Sequence, residues 1–147
     1  MAKLTIRSDF VFDSLNSKTI ETVRSCLNEM DRVGEINIVL ESELGLEKVF
    51  QDFPKSAPQL YTLCIGPGYY SYSFRSVGSK FPIHEDFLCD TERLRRVELA
   101  NCNISWDSRL LTGVTRLTLD NCSKSNSSII QVLHALQRMP ALPIFIL

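Results

Sequence analysis

The chain has 147 residues, 16 basic and 17 acidic side chains and a net charge of −1. That length fits one domain, spanning 1–147, able to bury about 70% of its unfolded surface. The even balance of charge leaves no long-range field to attract nucleic acid or an anionic membrane.

Leu4 to Ile6 reads as a short first strand, followed by a linker through Ser17. Ile20, Val23, Leu27 and Met30 then fall at helical spacing, so 19–32 is expected to be a helix with Ser17 as its N-cap and Gly34 as its stop. Glu35 to Leu40 is the next strand. Leu46, Val49, Phe50 and Phe53 mark a second helix, closed by Pro54 and Pro58. Strand Leu60 to Ile65 follows. Residues 66–82 break the rhythm: Gly66, Pro67, Gly68 and Gly78 are turn formers, and Tyr69, Tyr70, Tyr72, Phe74 and Arg75 lie between them. Residues 85–89 suggest a short helix. After strand Leu94 to Leu99, 106–111 has room for one or two helical turns before strand Val114 to Leu119. The polar stretch 121–128 offers caps for a last helix carrying Ile129, Val132, Leu133, Leu136 and Met139, which Pro140 ends.

One pattern runs through this order. Leu94-x-x-Val97-x-Leu99-x-x-Cys102 and Val114-x-x-Leu117-x-Leu119-x-x-Cys122 have the spacing of a leucine-rich repeat. Val33-x-x-Ile36-x-Ile38, Leu60-x-x-Leu63-x-Ile65 and Leu142-x-x-Phe145-x-Leu147 fit its first half, and 1–6 is a sixth copy with Leu4 as its middle residue. Alternate residues of a strand point to opposite sides, so each copy has an apolar flank that only a neighbouring copy can cover. The steps between copies are unequal, roughly 20 to 34 residues. The expected fold is therefore α/β: an irregular leucine-rich-repeat solenoid with a curved parallel sheet, right-handed crossovers and helices on its outer face.

Residues between the apolar ones would line the open inner surface: Glu35, Asn37 and Val39; Thr62 and Cys64; Arg96, Glu98 and Ala100; Arg116, Thr118 and Asp120. Arg96 and Arg116 hold equivalent places on successive strands, a like-charge pair that Glu98 or a bound acidic group would offset. This surface reads either as a small recognition patch or as ordinary solvated sheet. The aromatic loop, Tyr69, Tyr70, Tyr72, Phe74 and Arg75, is the other protein-binding candidate, since Tyr and Arg are enriched at interface hot spots. The same rings could instead cover the end of the sheet. Trp106 reads as a core plug between repeats.

No catalytic or metal residues are assigned. The five cysteines, at 26, 64, 89, 102 and 122, contain no Cys-x-x-Cys pair and read as buried thiols in a reducing compartment. Cys102 and Cys122 fall at the turn after a strand, where a thiol can meet backbone carbonyls. His84 and His134 are not placed for a zinc site, and no cofactor is expected. His84, Glu85, Asp86 and Cys89 suggest a small Cys/His enzyme, but nothing supplies an oriented base–nucleophile pair with an oxyanion donor. The N-terminus lacks an apolar signal core and no run reaches the roughly 18 residues of a spanning helix, so the expected location is cytoplasmic or nuclear. The Asn-x-Ser matches at 103, 121 and 126 are then chance. In the last copy, Ile144 and Ile146 replace polar inner-face residues, which suggests a fragment of a longer solenoid or an edge covered by a partner.

Two segments carry a family resemblance. Cys102-x-Ile104-x-Trp106-Asp107-Ser108-x-Leu110-Leu111 and Leu136-x-x-Met139-Pro140-Ala141-Leu142, with Ala57-Pro58-Gln59-Leu60-Tyr61-Thr62-Leu63 in the preceding repeat, resemble the leucine-rich-repeat region of basidiomycete fungal F-box proteins. The resemblance is sharpest over 102–142. It implies a protein-binding domain that presents a target to a cullin-type ubiquitin ligase. The Leu-Pro-x-Glu-type F-box segment, which would dock on the ligase adaptor, is absent from these residues. The alternative is a free-standing repeat module with no ligase role.

Overall fold

A computed structural model describes residues 4–8, 21–22, 25–40, 56–67, 80–83, 87–88, 90–122, 128–139 and 144–146. Six strands form one parallel sheet: β1 (Leu4–Ser8), β2 (Val33–Leu40), β3 (Thr62–Pro67), β5 (Arg96–Ala100), β7 (Arg116–Asp120) and β8 (Ile144–Ile146). Their order in space is their order in the chain. A second, two-stranded sheet pairs β4 (Phe81–Pro82) with β6 (Cys102–Asn103). Among the described residues the arrangement is α/β with few helices: helical turns at 21–22 and 25–27, a 3₁₀ turn at Arg109–Leu111, and α1 (Ile129–Gln137).

The apolar periodicity explains the sheet. Ile36 pairs with Leu63, Leu63 with Val97, and Val97 with Leu117. Two residues on, Ile38, Ile65, Leu99 and Leu119 form a second row in the same register. Val33, Leu60, Leu94 and Val114 lead the four copies. All twelve side chains are at most 2% exposed. At about 1.5–3 kcal/mol for each large apolar side chain removed from water, these rows dominate the favourable side of folding.

The backbone repeats with the side chains. Tyr61 N–H donates to the Gly34 carbonyl at 2.8 Å. Arg95 and Arg96 N–H both donate to the Tyr61 carbonyl, and Thr115 and Arg116 N–H both donate to the Arg95 carbonyl. Gly34, Tyr61, Arg95 and Thr115 are the same position in four copies, so each strand begins on a carbonyl of the one before it. At the other end Asn101 and Asn121 turn the chain with φ of 54° and 52°. Asn tolerates this left-handed region because its short polar side chain finds local partners. Here Asn121 Nδ2 donates to Asn101 Oδ1 at 2.6 Å.

The register moves several expected boundaries. Ile6, not Leu4, stands opposite Ile36; an irregularity between Leu4 and Thr5 sets Leu4 against Val33. Gly34 does not stop a helix: it lies inside β2, and the preceding helix gives way after Leu27 to i→i+3 turns such as Arg32 N–H to Glu29 O at 2.9 Å. Gly66 and Pro67 are not turn residues but extend β3. A Cβ on Gly66 would lie 3.0 Å from Ala100 Cβ, so glycine is what lets β3 and β5 approach there. The short strand β4 was not foreseen. The expected helices at 46–53 and 85–89 fall wholly or largely outside the described residues.

In the last crossover Ser128 caps α1 through a capping box with Gln131. The helix is rotated from its expected orientation. Ala135 and Met139 are buried and Val132 and Leu136 pack against the core, while Ile129, Ile130 and Leu133 are 70%, 60% and 52% exposed. Arg138 fixes this seating by donating to the carbonyls of Trp106 and Asp107. Trp106 is itself in the core. Among the described residues no helix is long and apolar enough to cross a membrane.

Truncation should separate the two environments. Leu117→Ala is expected to cost about 2–5 kcal/mol in urea unfolding, the range for a close-packed core leucine. Leu133→Ala should change stability by less than about 1 kcal/mol. Equal losses would mean that the apolar rows are not the core.

Candidate functional site

The same register that hides the apolar rows aligns the residues between them. One row runs Thr5, Glu35, Thr62, Arg96, Arg116, Ile144; the next runs Arg7, Asn37, Cys64, Glu98, Thr118, Ile146. Ala100 and Asp120 pair at the far end. Of the expected recognition residues, Arg96, Glu98, Arg116, Thr118 and Asp120 therefore occupy one patch on two adjacent strands. Tyr69, Tyr70, Tyr72, Phe74 and Arg75 lie outside the described residues, as do His84, Glu85, Asp86 and Cys89.

Charge on the patch is unevenly compensated. Arg96 Nε and Nη2 each lie 2.8 Å from Glu98 Oε1. This pair spans two residues of one strand and answers the like-charge contact between the arginines. Its hydrogen bond to Glu98 raises Arg96 above the usual guanidinium value. Arg116 is exposed and makes no side-chain ion pair among the described residues. The net effect is a neutralised β5 beside a β7 with a free cation at one end and the exposed Asp120 carboxylate at the other.

Toward β2 the face is more enclosed than expected. Thr62 is only 5% exposed, because it stands between the longer Glu35 and Arg96 side chains of its own row. Tyr61 Oη donates to Glu35 Oε2 at 3.3 Å, and the Cys64 thiol donates to Glu98 Oε2 at 3.6 Å. Burial, and then the negative charge of Glu98, push Cys64 from its ordinary 9.0 up to about 12. Cys64 is thus a neutral donor near pH 7, not a nucleophile. Tyr61 falls inside the expected strand Leu60 to Ile65 but lies just before β3, which begins at Thr62, so two-residue alternation does not place its half-buried ring beside Glu35.

At the strand ends, Cys102 Sγ donates to the Ala100 carbonyl at 3.3 Å. Cys122 Sγ lies 3.2 Å from the Leu99 carbonyl and 3.3 Å from that of Asp120. These are the expected thiol–carbonyl contacts. Among the described residues no three His, Cys, Asp or Glu side chains gather as a metal site.

The raised Cys64 value has a consequence for stability. The folded chain keeps a proton that the unfolded chain releases near pH 9. Stability from this group is therefore intact below pH 9 and is lost as pH rises toward 12. Between pH 8.5 and 11, the urea midpoint of the parent protein should fall further than that of Cys64→Ala; parallel curves would mean that the thiol is not held neutral. Compared with protein-family models, curated proteins and solved structures, the chain matches none.

Proposed function

We propose that this chain is a non-enzymatic, protein-binding leucine-rich-repeat domain, an irregular solenoid whose inner sheet face receives its partner. The observation that carries this reading is the burial of twelve signature residues in register, which leaves their neighbours as one polar face. Arg96, Glu98, Arg116, Thr118 and Asp120 are the contact residues, and Arg116 supplies the uncompensated charge that a carboxylate on the partner would meet. With the resemblance over 102–142, the partner is a target protein of the kind presented to a cullin-type ubiquitin ligase by fungal F-box subunits.

The test is capture of partners by the immobilised chain, mapped by cross-linking. Arg116→Glu should weaken capture at least about tenfold, a change of about 1.4 kcal/mol, without lowering the melting temperature by more than a few degrees. Arg109→Glu, an exposed charge on the crossover between β6 and β7, should capture like the parent. Equal capture by all three proteins would remove the sheet face as the binding surface. Recovery of a ligase adaptor with the product of a longer transcript that includes this domain would favour the F-box role, and no copurifying adaptor would favour a free-standing module.

A further inference from the structure

Two cysteines meet where β5 and β7 end. Ala100 pairs with Asp120, and each strand then bends through a left-handed asparagine into a cysteine, Cys102 or Cys122. The bends are tied together by Asn101 N–H to the Asp120 carbonyl at 2.9 Å and by the Asn121–Asn101 side-chain bond at 2.6 Å. Neighbouring parallel strands run about 4.8 Å apart, so the last paired residues, Ala100 and Asp120, stand within the roughly 4.4–6.8 Å between Cα atoms that a disulfide spans, and the two cysteines each follow two residues later. The sulfurs also converge. Cys102 Sγ sits on the carbonyl of Ala100 and Cys122 Sγ on that of the preceding Leu99. The two thiols therefore bear on the carbonyls of two adjacent residues of β5.

We propose that Cys102 and Cys122 form a two-thiol redox site that small-molecule disulfides oxidise reversibly to an intramolecular disulfide. Cys122 is the attacking sulfur. It is half-buried, whereas Cys102 is buried. The Cys102 thiol, its backbone N–H and the Lys80 ammonium favour the Cys122 thiolate and lower its pKa against the opposing effects of burial and of the Asp120 carboxylate. Cys102 is pushed up, first by its bond to Cys122 and then by burial, so it holds its proton until the first step is complete.

The chemistry closes without a further reactant. The Cys122 thiolate attacks one sulfur of R–S–S–R, forming Cys122–S–S–R and releasing R–S⁻. That thiolate takes the Cys102 proton. The Cys102 sulfur then attacks the Cys122 sulfur, forming the Cys102–Cys122 bond and releasing the second R–S⁻. Two protein thiols are oxidised and one external disulfide is reduced to two thiols. Cys64, held near 12 beside Glu98, lacks the thiolate needed to compete.

The experiment exposes the folded 147-residue chain to glutathione disulfide, blocks the remaining thiols with N-ethylmaleimide, and maps the unreduced tryptic peptides by mass spectrometry. Cleavage after Arg96, Arg109, Arg116 and Lys124 leaves the two cysteines on separate peptides, so a link between them is read directly. The expected result is that this linked pair appears first, with loss of two of the five thiols and full reversal by dithiothreitol. Cys102→Ser should stop at a stable glutathione adduct on Cys122, and Cys122→Ser should carry none on Cys102. Circular dichroism confirms that each variant is folded, and the unmutated chain tests the link whatever the variants do. The proposal is overturned if both cysteines stay alkylatable, if another cysteine reacts first, or if the link forms only in urea.

Discussion

Each copy of the signature places three apolar side chains on one flank of a strand, and one strand alone cannot hide them from water. The structure meets this constraint by laying copies side by side in register: Ile36, Leu63, Val97 and Leu117 in one row, Ile38, Ile65, Leu99 and Leu119 in the next. A slip of one residue would turn every apolar side chain outward, so the register is fixed by the same burial that drives folding. The shared backbone contacts at Gly34, Tyr61, Arg95 and Thr115 follow from it, because chains aligned by their cores present equivalent amides to equivalent carbonyls.

That constraint also decides what was legible in the residues alone. Strand positions over 33–119 follow from a two-residue alternation, which survives unequal spacing between copies. Seating of the helices does not. In α1, Ile129 and Leu133 share the apolar spacing of Val132, Leu136 and Met139, and the part that turns inward is the one seated by Arg138 on the carbonyls of Trp106 and Asp107 and by Gly113 N–H on the Arg138 carbonyl. Gly34 and Gly66 read as breakers because glycine favours turns. Their actual settings, inside β2 and against Ala100, depend on a neighbouring strand far away in sequence. Leu4 departs from the middle position that its spacing suggests for a related reason: the irregularity beside it is a property of the β1–β2 pairing, not of either segment.

The candidate surface inherits its order from the core. The in-register arginines follow directly from the repeat spacing, and the Arg96–Glu98 pair resolves their repulsion locally. With side chains 44% and 32% exposed, that ion pair adds about 0–1 kcal/mol at most, so it does little to hold the fold. Its effect is to leave Arg116 as the cation on the patch that has no ion-pair partner among the described residues. Burial likewise sorts the thiols: Cys64 becomes a neutral donor to a carboxylate, while Cys102 and Cys122 meet at strand ends that the asparagine bends hold together.

Side-by-side packing of the copies is the claim on which the polar face, the arginine alignment and the cysteine pairing all rest. Methyl–methyl nuclear Overhauser effects measure it most directly. With selectively labelled methyl groups, Leu63 should show cross-peaks to Val97, and Val97 to both Leu63 and Leu117, with none between Leu63 and Leu117. Absence of the Leu63–Val97 and Val97–Leu117 peaks in the folded protein, or a strong Leu63–Leu117 peak in their place, would contradict the account.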